Sequence, residues 1–80
     1  MENKVIVYSA EGCVECNFVK QMLTEEGIPF EVCDVLKNRE YQKEVEKFGF
    51  LGVPVTVVGD KAVKGFNSEL KELIRSIKNN

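Results

Sequence analysis

Cys13 and Cys16, in the C-x-x-C of Cys13-Val14-Glu15-Cys16, are the residues of this sequence best placed to do chemistry. A close thiol pair either cycles between dithiol and disulfide or binds a metal. Structural zinc asks for four ligands, whereas the chain holds three cysteines and no histidine, so a site within one chain falls one ligand short. Redox chemistry is favoured. The lack of histidine also removes imidazole as a general base, and with it the Ser-His-Asp and Cys-His nucleophile pairs.

Placement assigns the two sulfurs different work. The motif follows a strand-loop and opens a helix, where unpaired backbone N–H groups and the positive end of the helix dipole stabilise a thiolate and lower its pKa below the free value of about 8.5. Cys13, ahead of the first turn, is the expected nucleophile. Cys16, one turn further in and less exposed, is the expected resolver that attacks the mixed disulfide. Glu11 and Glu15 flank the pair, and their negative charges work against the thiolate. Cys33 shares a strand face with Glu31 and Val35 and reads as a small buried residue, since free cysteine is among the most buried types. A regulatory or dimer-forming thiol is the alternative for Cys33. A dimer bridging a metal or iron-sulfur cluster through these cysteines is the competing binding-module reading.

The elements that must position this pair are legible from hydrophobic period. Val5-Ile6-Val7-Tyr8 is a β-branched apolar run with the look of a strand buried on both faces, hence one with a parallel neighbour. From Val14, the residues Phe18, Val19, Met22 and Leu23 recur at helical spacing until Gly27-Ile28-Pro29 stops them. Phe30 to Val35 reads as a second strand, Lys37-Asn38 as a turn, and Tyr41, Val45 and Phe48 as one face of a second helix. Val55 to Val58 and Lys61 to Val63 form a hairpin around Gly59-Asp60. Asn67 is the expected N-cap of a last helix with the stripe Leu70, Leu73, Ile74 and Ile77, ending in a frayed Lys78-Asn79-Asn80. The order is β-α-β-α-β-β-α, with a right-handed first crossover and helices on both faces of a small four-stranded mixed sheet.

Composition bounds the rest. Eighty residues, 44% apolar and 30% charged, are those of an ordinary globule, and one domain over residues 1–80 is expected. The net charge of −2, with its basic residues scattered, disfavours a nucleic-acid partner. No apolar run is long enough for a membrane span. Met1-Glu2-Asn3-Lys4 leads directly into a strand without a signal-peptide pattern. The expected setting is therefore the cytoplasm, where a close cysteine pair is more often catalytic or metal-binding than a staple.

Val53-Pro54-Val55 opens a strand at the one place a proline fits, and a cis bond there would turn the Val53 backbone toward a peptide partner. General frequencies of X-Pro bonds favour trans. Taken together, Tyr8-Ser9, Cys13-Val14-Glu15-Cys16, Gly52-Val53-Pro54-Val55 and Gly65-Phe66 resemble the glutaredoxins of the thioredoxin fold along essentially the whole chain. Within that family the chain is most similar to the NrdH-redoxins, whose motif is typically Cys-Val-Gln-Cys or Cys-Met-Gln-Cys.

The resemblance implies a thioredoxin fold, a cis Pro54 and a dithiol-disulfide oxidoreductase with a redox-active Cys13–Cys16 disulfide and no bound cofactor. It implies catalysis by Cys13 and Cys16, and substrate binding by Tyr8, Val14, Glu15, Val53, Pro54, Gly65 and Phe66. Electrons would come from NADPH through thioredoxin reductase, with glutathione as the alternative donor. They would pass to a disulfide-containing protein, ribonucleotide reductase among the candidates, from a monomer. Glutathione-using members carry Cys-Pro-Tyr-Cys, and Gly-Gly followed by an acidic pair, where this chain has Gly65-Phe66-Asn67-Ser68. Other departures are Ala10 in place of a basic residue, Ala62-Val63-Lys64 in place of an aromatic one, and no Arg-Pro after Gly65-Phe66.

Overall fold

In the computed structural model, residues 4–78 are described; Met1-Glu2-Asn3 lie outside them, as do Asn79 and Asn80 of the Lys78-Asn79-Asn80 end expected to fray, whereas Lys78 is the last helical residue. Seven elements follow one another: β1 (Val5–Ser9), α1 (Val14–Glu25), β2 (Glu31–Asp34), α2 (Arg39–Lys47), β3 (Val55–Val58), β4 (Lys61–Lys64) and α3 (Ser68–Lys78). The sheet order is β2-β1-β3-β4. β1 pairs parallel with β2 and antiparallel with β3, and β3 pairs antiparallel with β4. β1 and β3, the central strands, are also the ones that lead into the Cys13 loop and out of Val53-Pro54.

Strand alternation divides the core in two. Val5, Val7 and Val58 face α1 and α3, where Val19, Leu23, Leu70 and Ile74 close over them. Tyr8, Cys33, Val55 and Val57 face the other way, against Val45 of α2, with Tyr41 and Phe50 packed alongside. In α1 the inward positions are Cys16, Val19 and Leu23, a spacing of i, i+3, i+7. Phe18, expected in this apolar stripe, is instead 46% exposed. It lies on the flank with Glu15 and Met22, turned toward the start of α3. Phe48 likewise falls at the C-cap of α2 and stays partly exposed, and Phe50 takes the packing position.

The helix starts are capped by side chains. Asn38 Oδ1 accepts from Glu40 N–H at 2.9 Å to open α2, and Asn67 Oδ1 accepts from Leu70 N–H at 3.1 Å to open α3, as the sequence led us to expect of Asn67. α1 opens on a sulfur, and this is where the candidate site lies. No helix among the described residues is long and apolar enough to cross a membrane.

Candidate active site

β1 ends at Ser9, and the loop after it turns at Gly12, whose φ of +85° would strain any residue with a Cβ. Cys13 then takes the N-cap position in extended conformation, and its own Sγ accepts a hydrogen bond from Cys16 N–H at 3.1 Å. Serine, threonine or aspartate usually supplies this acceptor through oxygen. Here the reactive atom does so itself. A negative charge developing on Cys13 Sγ therefore already faces a backbone donor at the positive end of α1.

Cys13 and Cys16 are joined at disulfide distance, with Cα atoms 5.2 Å apart. Cys16 is fully buried and Cys13 partly exposed, so only one face of the pair is open to a large partner. Val14, 62% exposed, projects beside it. The Val53–Pro54 bond is cis, in accord with the resemblance rather than with the general preference for trans. Pro54 itself is buried, and its carbonyl accepts from Gly65 N–H at 2.8 Å, so the proline turn and the segment ahead of α3 are tied together.

Glu15 supplies a further tie. Its Oε2 accepts from Phe66 N–H at 3.3 Å, which links the C-x-x-C to a segment 51 residues away. Gly65 sits between these two bonds at φ +90°, a conformation that favours glycine on backbone grounds alone, because a Cβ there would meet Glu15 and Asn67 only at ordinary contact distance. The Phe66 ring packs against Phe18 with centroids 5.7 Å apart, and the Lys71 ammonium lies 5.5 Å from its centroid. Phe18 thus belongs to the surface around the site. Helical spacing groups it with Val19, Met22 and Leu23, because spacing alone does not separate an inward position from the flank beside it.

Tyr8 is not brought to this surface. It is buried on the α2 side of the sheet, opposite α1, where its hydroxyl donates to Glu44 Oε1 at 2.5 Å and its ring meets Tyr41 edge-on at 6.3 Å. Burial and the Glu44 carboxylate push the Tyr8 hydroxyl pKa well above its usual value. Cys33 lies in the same cluster. Burial, with Glu31 adding to it, pushes its thiol up, and this keeps it protonated where a nucleophile would need to ionise. Glu44 was not singled out from sequence and Tyr41 only as part of a helix face, since the bond and the ring contact they make with Tyr8 depend on how α2 docks. Among the described residues there is no cluster of three or more histidine, cysteine, aspartate or glutamate side chains able to hold a metal ion.

A family model described as Glutaredoxin matches residues 5–63, well over half of the chain. The chain belongs to the glutaredoxin family. A glutaredoxin-like protein NrdH of Lactococcus lactis is 37% identical over 70 residues, covering 86% of this chain and 97% of that protein. The solved NrdH-redoxin of Escherichia coli superposes with a TM-score of 0.79 at 27% identity, over 88% of this glutaredoxin and 93% of that chain. A glutaredoxin of Archaeoglobus fulgidus gives 0.76 at 40% identity, over 91% and 87% of the two chains. This glutaredoxin, NrdH-like in sequence and fold, is a thiol-disulfide oxidoreductase, and the Cys13–Cys16 pair fits that dithiol chemistry.

Proposed function

We propose that this glutaredoxin reduces disulfides in proteins, with Cys13 as nucleophile and Cys16 as resolver, and draws its electrons from NADPH through thioredoxin reductase. Cys13 thiolate attacks one sulfur of the substrate disulfide, whose other sulfur leaves as a thiolate and takes a proton from solvent. Cys16 gives up its proton and attacks Cys13, the mixed disulfide breaks, and the second substrate sulfur leaves reduced. The product is the Cys13–Cys16 disulfide, which a reductase returns to the dithiol with two electrons. Val14, Glu15, Val53, Pro54, Gly65 and Phe66 frame the partner surface in this reading. Tyr8 acts from behind the sheet, as packing. A disulfide of ribonucleotide reductase is a candidate substrate, and a reducing cytoplasmic setting is part of the proposal.

The observation that carries the choice of donor is the chemistry at the start of α3. Where glutathione-using members place an acidic pair, this chain has Asn67-Ser68, with Asn67 spent on capping the helix and Phe66 packed at a tilt against Phe18. The exposed Val14 and Phe18 side chains and the Phe66 ring add apolar area beside the charges of Glu15 and Lys71, and this supports a protein partner over the charged ends of a tripeptide. The E. coli NrdH-redoxin is described as having a thioredoxin-like activity profile, which supports the same choice. The test mixes the purified protein and insulin, as disulfide substrate, with either thioredoxin reductase and NADPH or glutathione, glutathione reductase and NADPH. Faster NADPH consumption is expected with thioredoxin reductase. Fast turnover with glutathione and none with thioredoxin reductase would reverse the assignment.

A further inference from the structure

β3 carries a threonine among valines, and its setting is unusual. Thr56 is fully buried, and its Oγ1 is the one buried side-chain nitrogen or oxygen among the described residues without a hydrogen-bond partner. Burying an unpaired hydroxyl is destabilising, and a valine would fill the same volume without it. Such an atom in a folded protein calls for an explanation, and a redox role is one of those open to it.

Register fixes the face of the sheet on which the hydroxyl lies. Thr56 pairs with Val7 on β1 and Val63 on β4, so all three point to the face that α1 and α3 cover. It follows the cis proline by two residues, at the end of the sheet where β1 runs into the Cys13 loop. α1 starts from that loop and runs back over this face, with Cys16 as the fully buried position of its first turn. A buried sulfur and a buried, unpaired hydroxyl therefore share one face and one end of the sheet.

We propose that Thr56 is a positioning residue for Cys16, its hydroxyl pairing with Cys16 Sγ once the disulfide is reduced. In the disulfide, Cys16 Sγ has no hydrogen to donate and is a weak acceptor. Reduction by a dithiol breaks the Cys13–Cys16 bond, delivers two electrons and two protons, and leaves the reductant as a disulfide. Cys16 then holds either an S–H that donates to Thr56 Oγ1 or a thiolate that accepts from Thr56 Oγ1–H. Either form satisfies the hydroxyl, so the pairing favours the dithiol. The inference rests on the redox role of Cys13 and Cys16 and is independent of the electron donor.

The test is the dithiol-disulfide equilibrium of wild type, Thr56→Val and Thr56→Ser in a dithiothreitol redox buffer, which requires no protein partner. Thr56→Val should move the equilibrium about fivefold toward the disulfide, about 20 mV for a two-electron couple. Thr56→Ser, which keeps the hydroxyl, should stay within about twofold of wild type. Thermal unfolding of both redox states should show that Thr56→Val favours the oxidised form over the reduced one. An unchanged equilibrium in Thr56→Val, or an equal shift in Thr56→Ser, would overturn the proposal and leave Thr56 as packing alone.

Discussion

Two cysteines of this glutaredoxin are buried, one on each side of the sheet, and their surroundings give opposite chemistry. Cys16 lies under the first turn of α1, bonded to a partly exposed sulfur that also receives its backbone N–H. Cys33 lies on the α2 side among Tyr8, Val45, Val55 and Val57, with its thiol held up by burial and by Glu31. Burial is common to both, so it does not decide reactivity. What differs is a second sulfur, which Cys16 has and the free Cys33 lacks, and the backbone N–H at the start of α1 that this second sulfur receives. The faces also differ in how their polar groups are satisfied: Tyr8 and Glu44 pair directly, whereas Thr56 is unpaired among the described residues.

Serine substitution gives the largest expected effect and tests the contrast most severely. Cys13→Ser should abolish disulfide reduction, and Cys16→Ser should stop it after one step, with a mixed disulfide visible by intact mass. Cys33→Ala should leave the rate within about twofold, because its thiol takes no part in exchange. Full cycling by Cys16→Ser without added glutathione would contradict the two-cysteine reading, and a large rate loss in Cys33→Ala would end the division between faces.

A middle-sized effect is expected at Tyr8. Tyr8→Phe should cost about 1 kcal/mol at neutral pH in denaturant unfolding, by removing a hydrogen bond to a carboxylate that is only partly buried. The pH dependence has a definite sign. Because the folded-state pKa of Tyr8 is raised, its contribution is complete below the unfolded value of about 10 and is lost as pH rises beyond it. The alkaline decline in stability should therefore be shallower in Tyr8→Phe, and parallel curves would show that the hydroxyl is not coupled to folding. Oxidoreductase activity should barely change.

The smallest effect is expected at Glu15, whose bond to Phe66 N–H is exposed. Glu15→Ala should raise the KM for a protein substrate about two- to threefold, whereas Glu15→Gln, which keeps an acceptor oxygen, should restore it. Equal behaviour of the two variants would assign any change to charge instead of to the tie between α1 and the Gly65-Phe66 segment.

Local patterns in the sequence account for much of this architecture. The C-x-x-C at a strand-helix junction, the stops at Gly27-Ile28-Pro29 and the stripes of α1 and α3 each depend on neighbours within a few residues, so their elements were legible. Pro54 as cis was legible only through family resemblance, since an isolated Val-Pro favours trans. Contacts across the fold were not legible. Tyr8 stands in the same apolar run as Val7, and only the register with β2 and β3 shows that it faces α2. Glu15 looked like a charge opposing a thiolate, yet its carboxylate also holds the backbone of Phe66. Thr56 read as an ordinary strand residue, because an unmade hydrogen bond leaves no trace in composition or period.

The topology has a practical consequence for handling the protein. β3 leaves the proline turn and runs away from the sulfurs, so the exposed Gly59-Asp60 tip lies a full strand length, about 13 Å, toward the opposite pole. A tether or fluorophore attached at that tip would hold the molecule with its disulfide pole outward. Immobilised in this orientation on an electrode or a bead, the protein would be a probe whose attachment chemistry and redox chemistry never compete for the same surface.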